Sequence, residues 1–399
     1  MDSAVQLQAN ALPTPTPARS RRTFRPALGL VVRGLILVGL LGLTAWNVTR
    51  SNALDEARAA EARGDDARAV RAALDHLARR PWSREAERVA ARGLSRLDFA
   101  DLADPHYRRG GILSLEDKLT RAYGLTRANL RDRAEAAYRA ILADRPGDVT
   151  ALRLLAGVLL SEGRWDDAQT VAASLIALPS EPTEGYLPVK ARSGRWALKP
   201  VRVESPPALG YTLKGSVHRD LHEIEPCALA LERVLDLDPQ LHSMPLPKRE
   251  FWTYLGEALI RSGRGADAIR RLGPVVDELN DPAVLDLLGQ AYVLQGLFDD
   301  ARRCFVKATD LDPNHLASWR DLGRLELQLN RPSEAVRALT EAETRAPGSY
   351  ETSYGLAQAY RRLGRDDQAR HYQDEAVRLR RKLKPAPGGM GAMPGKPAS

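Results

Sequence analysis

The 399 residues contain two cysteines, Cys227 and Cys304, too few for a disulfide framework, and each reads as a small residue in a helical core. Aromatics make up only 6% of the chain, which with 26 prolines fits poorly with a large β-sandwich. Lysine is scarce, nine against 50 arginines, a bias that a GC-rich genome explains more simply than phosphate recognition by arginine forks. No glycine-rich phosphate loop, Cys-x-x-Cys pair, G-x-S-x-G elbow or Ser/His/Asp arrangement is legible, so no catalytic residue, cofactor or metal is assigned. What remains is ordinary for a helical globular chain: 44% hydrophobic and 28% charged, which excludes disorder throughout.

The net charge of +8 would suggest nucleic acid if it were spread over a folded face. It is not. Arg19, Arg21, Arg22, Arg25, Arg33 and Arg50 stand against Asp2 in the first fifty residues, and Arg378, Arg380, Arg381, Lys382, Lys384 and Lys396 stand unopposed in the last stretch. The body between is close to neutral, so no nucleic-acid partner is expected.

Residues 1–26 are Pro/Thr-rich and then basic, the composition of a disordered arm. Residues 27–49 carry a single charge, Arg33, and are long enough for a transmembrane helix, with Arg33 able to snorkel and Trp46 placed as an interfacial aromatic. The competing readings are a cleaved signal peptide and a buried helix. Against cleavage, 33 residues precede the apolar core at Gly34, and Leu43 occupies the position where a cut after Ala45 wants a small residue. The arginines before the span keep the N-terminus cytoplasmic, which puts the body outside the cytoplasm.

The body repeats itself. A small residue opens a second helix at Ala268, Ala301, Ala335 and Ala369, spaced by 33, 34 and 34 residues. In the first helix a small residue recurs at Gly256, Gly289, Gly323 and Ala357, and a turn residue at Gly263, Gly296, Asn330 and Gly364. The stretch from Pro282 to His315 adds Leu285, Leu288, Tyr292, Phe305, Ala308 and Pro313 to this frame. This pattern resembles the tetratricopeptide repeat family. The resemblance implies an all-α fold, an α-solenoid wound as a right-handed superhelix of helix-turn-helix units, about seven or eight of them, behind the N-terminal transmembrane helix. Weaker units follow at 51–83, 115–148, 149–182 and 208–241, with Cys227 in a small-residue slot and only a poor partial unit around 84–114.

Two breaks interrupt the period. One is an irregular insertion at 183–207, with alternation suggesting an extended or hairpin excursion turning at Ser193-Gly194, although Pro188 and Pro200 argue against a central strand. The other is a linker at 242–248. They mark off an N-terminal block at 51–182 and a C-terminal block at 208–383, ahead of a flexible tail at 384–399.

Among candidate sites, His218, His222, Glu223, Glu225 and Cys227 are the one cluster of metal-ligand types. Residues 218 and 222 are four apart, which on a helix puts both imidazoles on one face, but no HExxH is present and a packing role is the simpler reading. This region supports the alternative of a metal-dependent enzyme or cofactor carrier. The basic run RLRRKLK supports another, a lipid or glycan binder. The family resemblance instead implies a protein or peptide partner held in a concave groove lined by first helices. The matching positions are Glu257 and Asp286, then Arg320, Arg324, Gln358, Arg361 and Arg362, an acidic-to-basic gradient able to orient a carboxylate toward the C-terminal end. The Lys and Asn clamp of chaperone-binding members is replaced by Thr253 and Glu257. The expectation is therefore a non-catalytic scaffold in an envelope complex.

Overall fold

The computed structural model describes residues 53–190, 196–243 and 247–383. The chain runs as helices α1 (53–62), α2 (Asp66–Arg79), α3 (Arg84–Arg96), α4 (Ala100–Arg109), α5 (Leu115–Arg127), α6 (Arg131–Asp144), α7 (Val149–Ser161) and α8 (Trp165–Ile176). Strands β1 (Thr183–Lys190) and β2 (Trp196–Val203) follow, then α9 (Pro206–Asp220), α10 (Ile224–Leu237), α11 (Lys248–Arg261), α12 (Gly265–Leu272) and α13 (Val276–Leu279). The series closes with α14 (Pro282–Leu294), α15 (Phe298–Leu311), α16 (Leu316–Gln328), α17 (Pro332–Arg345), α18 (Tyr350–Arg362) and α19 (Asp366–Leu383). From α3 onward each first helix packs on its own second helix, and all but α9 pack on the next first helix, the stacking of a helical-repeat solenoid.

One local frame generates this array. In each of nine helix pairs the turn between the two helices holds a residue in the left-handed region: Gly64, Asp98, Asn129, Gly163, His222, Gly263, Gly296, Asn330 and Gly364. Seven residues before each stands a small residue, Ala57, Ala91, Ala122, Ala156, Gly215, Gly256, Gly289, Gly323 or Ala357. Five residues after each stands another, Ala69, Ala103, Ala134, Ala168, Cys227, Ala268, Ala301, Ala335 or Ala369, all of them buried. The paired small side chains let the two helices of a unit approach closely, and the left-handed residue reverses the chain between them. The frame extends through 84–114, so the poor partial unit is a full pair, α3 and α4. Its turn residue is Asp98 rather than glycine, which hid it from pattern matching. Among the described residues the pairs number nine rather than seven or eight.

The fold is an all-α helical repeat, and the insertion at 183–207, rather than irregular, is the hairpin excursion its alternation suggested: a two-stranded antiparallel sheet. Thr183 pairs with Val203 and Lys190 with Trp196. Proline is tolerated because both strands are edges. Pro188 lies opposite Leu198 and Pro200 opposite Tyr186, so the two prolines sit in pairs of one phase of the ladder. The Tyr186 N–H, turned away from Pro200, donates to Thr150 Oγ1 at 2.8 Å. The turn assigned to Ser193-Gly194 lies outside the described residues.

The insertion does not split the solenoid into the two blocks expected from its position. Helices α8 and α9 pack directly, and a Cβ on Gly210 would come within 2.7 Å of Ile176 Cγ1 and 2.8 Å of the Ala172 carbonyl oxygen. One core runs from Ala100 to Val217, and the next begins in the same helix at Ala208. The second break is tied down as well. Buried Asp238 accepts from the N–H groups of His242 and Ser243 at 3.0 and 2.7 Å, and Ser243 Oγ accepts from Ser205 N–H at 2.8 Å, at the start of α9.

Among the described residues no helix is long and apolar enough to cross a membrane. The 27–49 segment, the arm before it and the 384–399 tail lie outside the described residues.

Close packing across the insertion makes Gly210→Ala destabilising by about 1–3 kcal/mol, the usual cost of overpacking. Chemical denaturation monitored by circular dichroism checks this. An unchanged midpoint would contradict continuity between α8 and α9.

Candidate functional site

The first helices α14, α16 and α18 stand side by side, and two clefts open between them. One, of 220 Å³, is lined by Ile260, Gln290, Val293, Leu294, Phe305, Asp321, Arg324, Leu325 and Gln328. The other, of 520 Å³, is lined by Arg324, Leu327, Gln328, Tyr350, Glu351, Tyr354, Gly355, Gln358 and Arg362. Arg324 and Gln328 belong to both, so the clefts form one groove crossing the three helices. Its floor is apolar and aromatic. Tyr350 and Tyr354, one helical turn apart on α18, stack at 5.9 Å with Tyr354 exposed. Arg324 reaches outward while bonding Asp321 at 3.3 Å, and the Arg362 guanidinium donates to the Leu327 carbonyl near the end of α16. This chemistry suits an extended peptide: flat apolar surface for side chains, with amides and guanidinium groups for carbonyls and carboxylates.

Of the residues expected from sequence, Arg324, Gln358 and Arg362 line this groove. Glu257 and Arg361 are exposed but line neither cleft, and Arg320 is half-buried with its Nε enclosed. Asp286 is a correction. It is buried between α14 and α16, accepting from Gln290 Nε2 at 2.8 Å and Ser318 Oγ at 2.9 Å. The acidic-to-basic gradient also fails, because Asp286 is withdrawn from the surface and Glu351 adds an acid at the supposedly basic end. Sequence reasoning missed Tyr350, Tyr354, Gln290 and Gln328. The i, i+4 tyrosine pair was the one available signal, and it fell outside the repeat pattern.

Burial pushes the Asp286 carboxyl up to about 7, helped by the Asp321 charge and opposed by the two hydrogen bonds and Arg320. Asp321 is raised by its own burial, against the pull of Arg324 and Arg320. His315 Nδ1 lies 2.8 Å from Ser318 Oγ. When Asp286 is ionised, Ser318 gives its proton to the carboxylate and the imidazole donates to Oγ, an order opposite to that of an activated nucleophile. Ser318 is wholly buried, and its bond to Asp286 ties α16 to α14.

The alternative of a metal site at His218 and His222 finds no geometry to support it. Helix α9 ends at Asp220, and His222 sits in the turn at φ 61°, so the two imidazoles do not share a helical face. His218 Nδ1 instead meets Glu223 Oε2 at 2.5 Å. Among the described residues no group of three potential ligands converges. Burial raises both thiols, Cys304 to about 11, the environment of packing cysteines and not of nucleophiles.

A tetratricopeptide repeat family model matches residues 119–182, 287–350 and 320–384. These stretches are similar to tetratricopeptide repeats. The last two carry the groove on α14, α16 and α18, and the turn and small-residue frame continues the tetratricopeptide-like solenoid through the unmatched residues. Similar solved structures include MamA, 21% identical over 44% of this chain and 92% of that one, with a TM-score of 0.38. Another is YrrB, described as a TPR protein with an unusual peptide-binding site, 17% identical over 54% and 95% with a TM-score of 0.41. A third is MamA from residue 41 onward of Desulfovibrio magneticus RS-1, 17% identical over 49% and 92% with a TM-score of 0.38. No curated protein matches the chain.

Because the folded-state value of Asp286 lies above the ordinary carboxylate value, the folded chain holds a proton that the unfolded chain has released. Stability should therefore fall as pH rises from about 4 toward 7. Asp286→Asn is expected to raise the melting temperature at pH 8 and to change it little near pH 4. Thermal melts at the two pH values decide; an Asn variant less stable at pH 8 would count against this balance.

Proposed function

We propose that this protein is a membrane-anchored, non-catalytic scaffold whose C-terminal groove holds an extended peptide segment of a partner in an envelope-associated complex. The observation that carries the reading is the continuous groove over α14, α16 and α18, with its stacked tyrosines and the Arg324 and Arg362 guanidinium groups. Tetratricopeptide repeats commonly serve as interaction scaffolds, and YrrB is described as having a peptide-binding site.

The anchoring part of the reading rests on the apolar run at 27–49 and on a feature of the described edge beside it. Trp82 and Ile112 are 77% and 91% exposed. They lie in the connections α2–α3 and α4–α5, at the end of the solenoid where α1 begins. Exposed Arg79, Arg84, Arg108 and Arg109 flank them, and Arg84 packs against Gly111, which brings the two connections together. Large apolar tips ringed by arginine suit the headgroup region of a bilayer. The metal-dependent alternative loses its ligand pair to the turn at His222.

Two experiments test the proposal. A photo-crosslinking side chain at Tyr354 should capture a partner in membranes, and Arg324→Glu should reduce that capture at least tenfold; equal capture would refute the groove. Separately, residues 1–399 should resist alkaline extraction from membranes while 51–399 does not, and a reporter fused after residue 383 should be active only outside the cytoplasm. A reporter active only in the cytoplasm would reverse the topology.

A further inference from the structure

The β1–β2 hairpin is inserted into an array that is continuous without it, since α8 and α9 pack directly beneath its base. Its neighbours are selective. It packs against the first helices α5 and α7 and reaches the α3–α4 turn at Asp98. The first-helix face of α5 and α7, the counterpart of the groove on α14, α16 and α18, is therefore covered by the chain's own extended segment.

The contacts are those by which a helical groove grips a peptide. Thr150 Oγ1 accepts the Tyr186 N–H at 2.8 Å and Arg153 donates to the Tyr186 carbonyl at 3.0 Å, so two side chains of α7 read one residue's backbone. Arg153 is half-buried, and the loss of solvent lowers its pKa while its guanidinium donates to that carbonyl. Further along, Trp196 is inserted to 3% exposure. Its ring meets Tyr123 edge-on at 4.5 Å, the Arg127 guanidinium stands 6.0 Å from its centroid, and its Nε1–H donates to Asp98 at 3.1 Å. Asp98 and Arg127 are themselves joined by hydrogen bonds of 2.7 and 3.0 Å, a rigid rim for an aromatic slot. The hairpin offers little as a template for strand addition, because Pro188 and Pro200 remove donors from it.

We propose that the faces of α5 and α7 form a second peptide site, for an extended segment bearing an aromatic side chain, and that the hairpin is its ligand held in cis. The partner segment displaces the hairpin; Thr150 and Arg153 bind its backbone, and the Tyr123, Arg127 and Asp98 slot takes its aromatic ring. Held covalently beside the site, the hairpin competes at high effective concentration and closes this face to weak ligands. The site is independent of the C-terminal groove, so its test stands whatever the outcome there.

The decisive variant replaces residues 184–202 with a short Gly-Ser bridge, which the paired ends at Thr183 and Val203 make geometrically easy. The probe is a fluorescent synthetic peptide of residues 182–204. The variant should remain helical and bind the peptide in trans at least tenfold more tightly than the full chain does. Arg153→Ala in the variant, or Trp196→Ala in the peptide, should each weaken binding tenfold or more. A helical variant that ignores the peptide, binding no tighter than to the full chain, or hairpin exchange between two copies as the sole mode would overturn the proposal. If the variant fails to fold, hydrogen exchange on the full chain decides. The β1 and β2 amides should exchange at least tenfold faster than those of α5 and α7, and exchange only together with them would also overturn it.

Discussion

The structure depends on how closely two helices of one unit can approach. At each unit a small buried residue in the first helix faces another in the second, and a left-handed residue between them turns the chain sharply enough to bring them together. A larger side chain at either point would meet its neighbour at less than contact distance. Neither helix of a pair can bury its apolar face alone, so the same constraint that closes a pair obliges the pairs to stack. Groove, hairpin and polar locks are all placed by that stacking.

Stacking lines up the first helices, but two stretches of that row are used differently. Over α14, α16 and α18 the face is open, with stacked tyrosines and outward-reaching arginine. Over α5 and α7 it is covered by β1 and β2, and the aromatic facing those helices is Trp196, brought in by the insertion. A solenoid can carry such an addition because its stability is a sum of neighbouring interfaces. Extra chain inserted between units is tolerated as long as α8 still meets α9.

Much of this was legible in the chain. The recurrence from Gly256 to Ala369 survives because three glycines and five alanines mark its small-residue slots, and Pro188 and Pro200 announced that any strand at 183–207 would be an edge. What escaped did so for identifiable reasons. Asp98 and His222 occupy turns where glycine or asparagine is expected, since Asp and His tolerate the left-handed region better than most side chains. His222 consequently looked like a helical partner of His218. Asp286 looked like a groove acid because it stands on a first helix, yet its rotation about that helix turns it toward Ser318 on α16 instead of toward solvent.

The sequence by itself determined the unit, its period and the helical class, because these depend on local turn chemistry and on small residues at fixed separations. Only the tertiary structure decided which polar side chains face a groove and which lie between helices. That choice depends on the angle at which one unit meets the next, a property of neighbouring surfaces that no single repeat encodes. The same is true of the hairpin: its strands are local, but its seat on α5 and α7 exists only once the units are stacked.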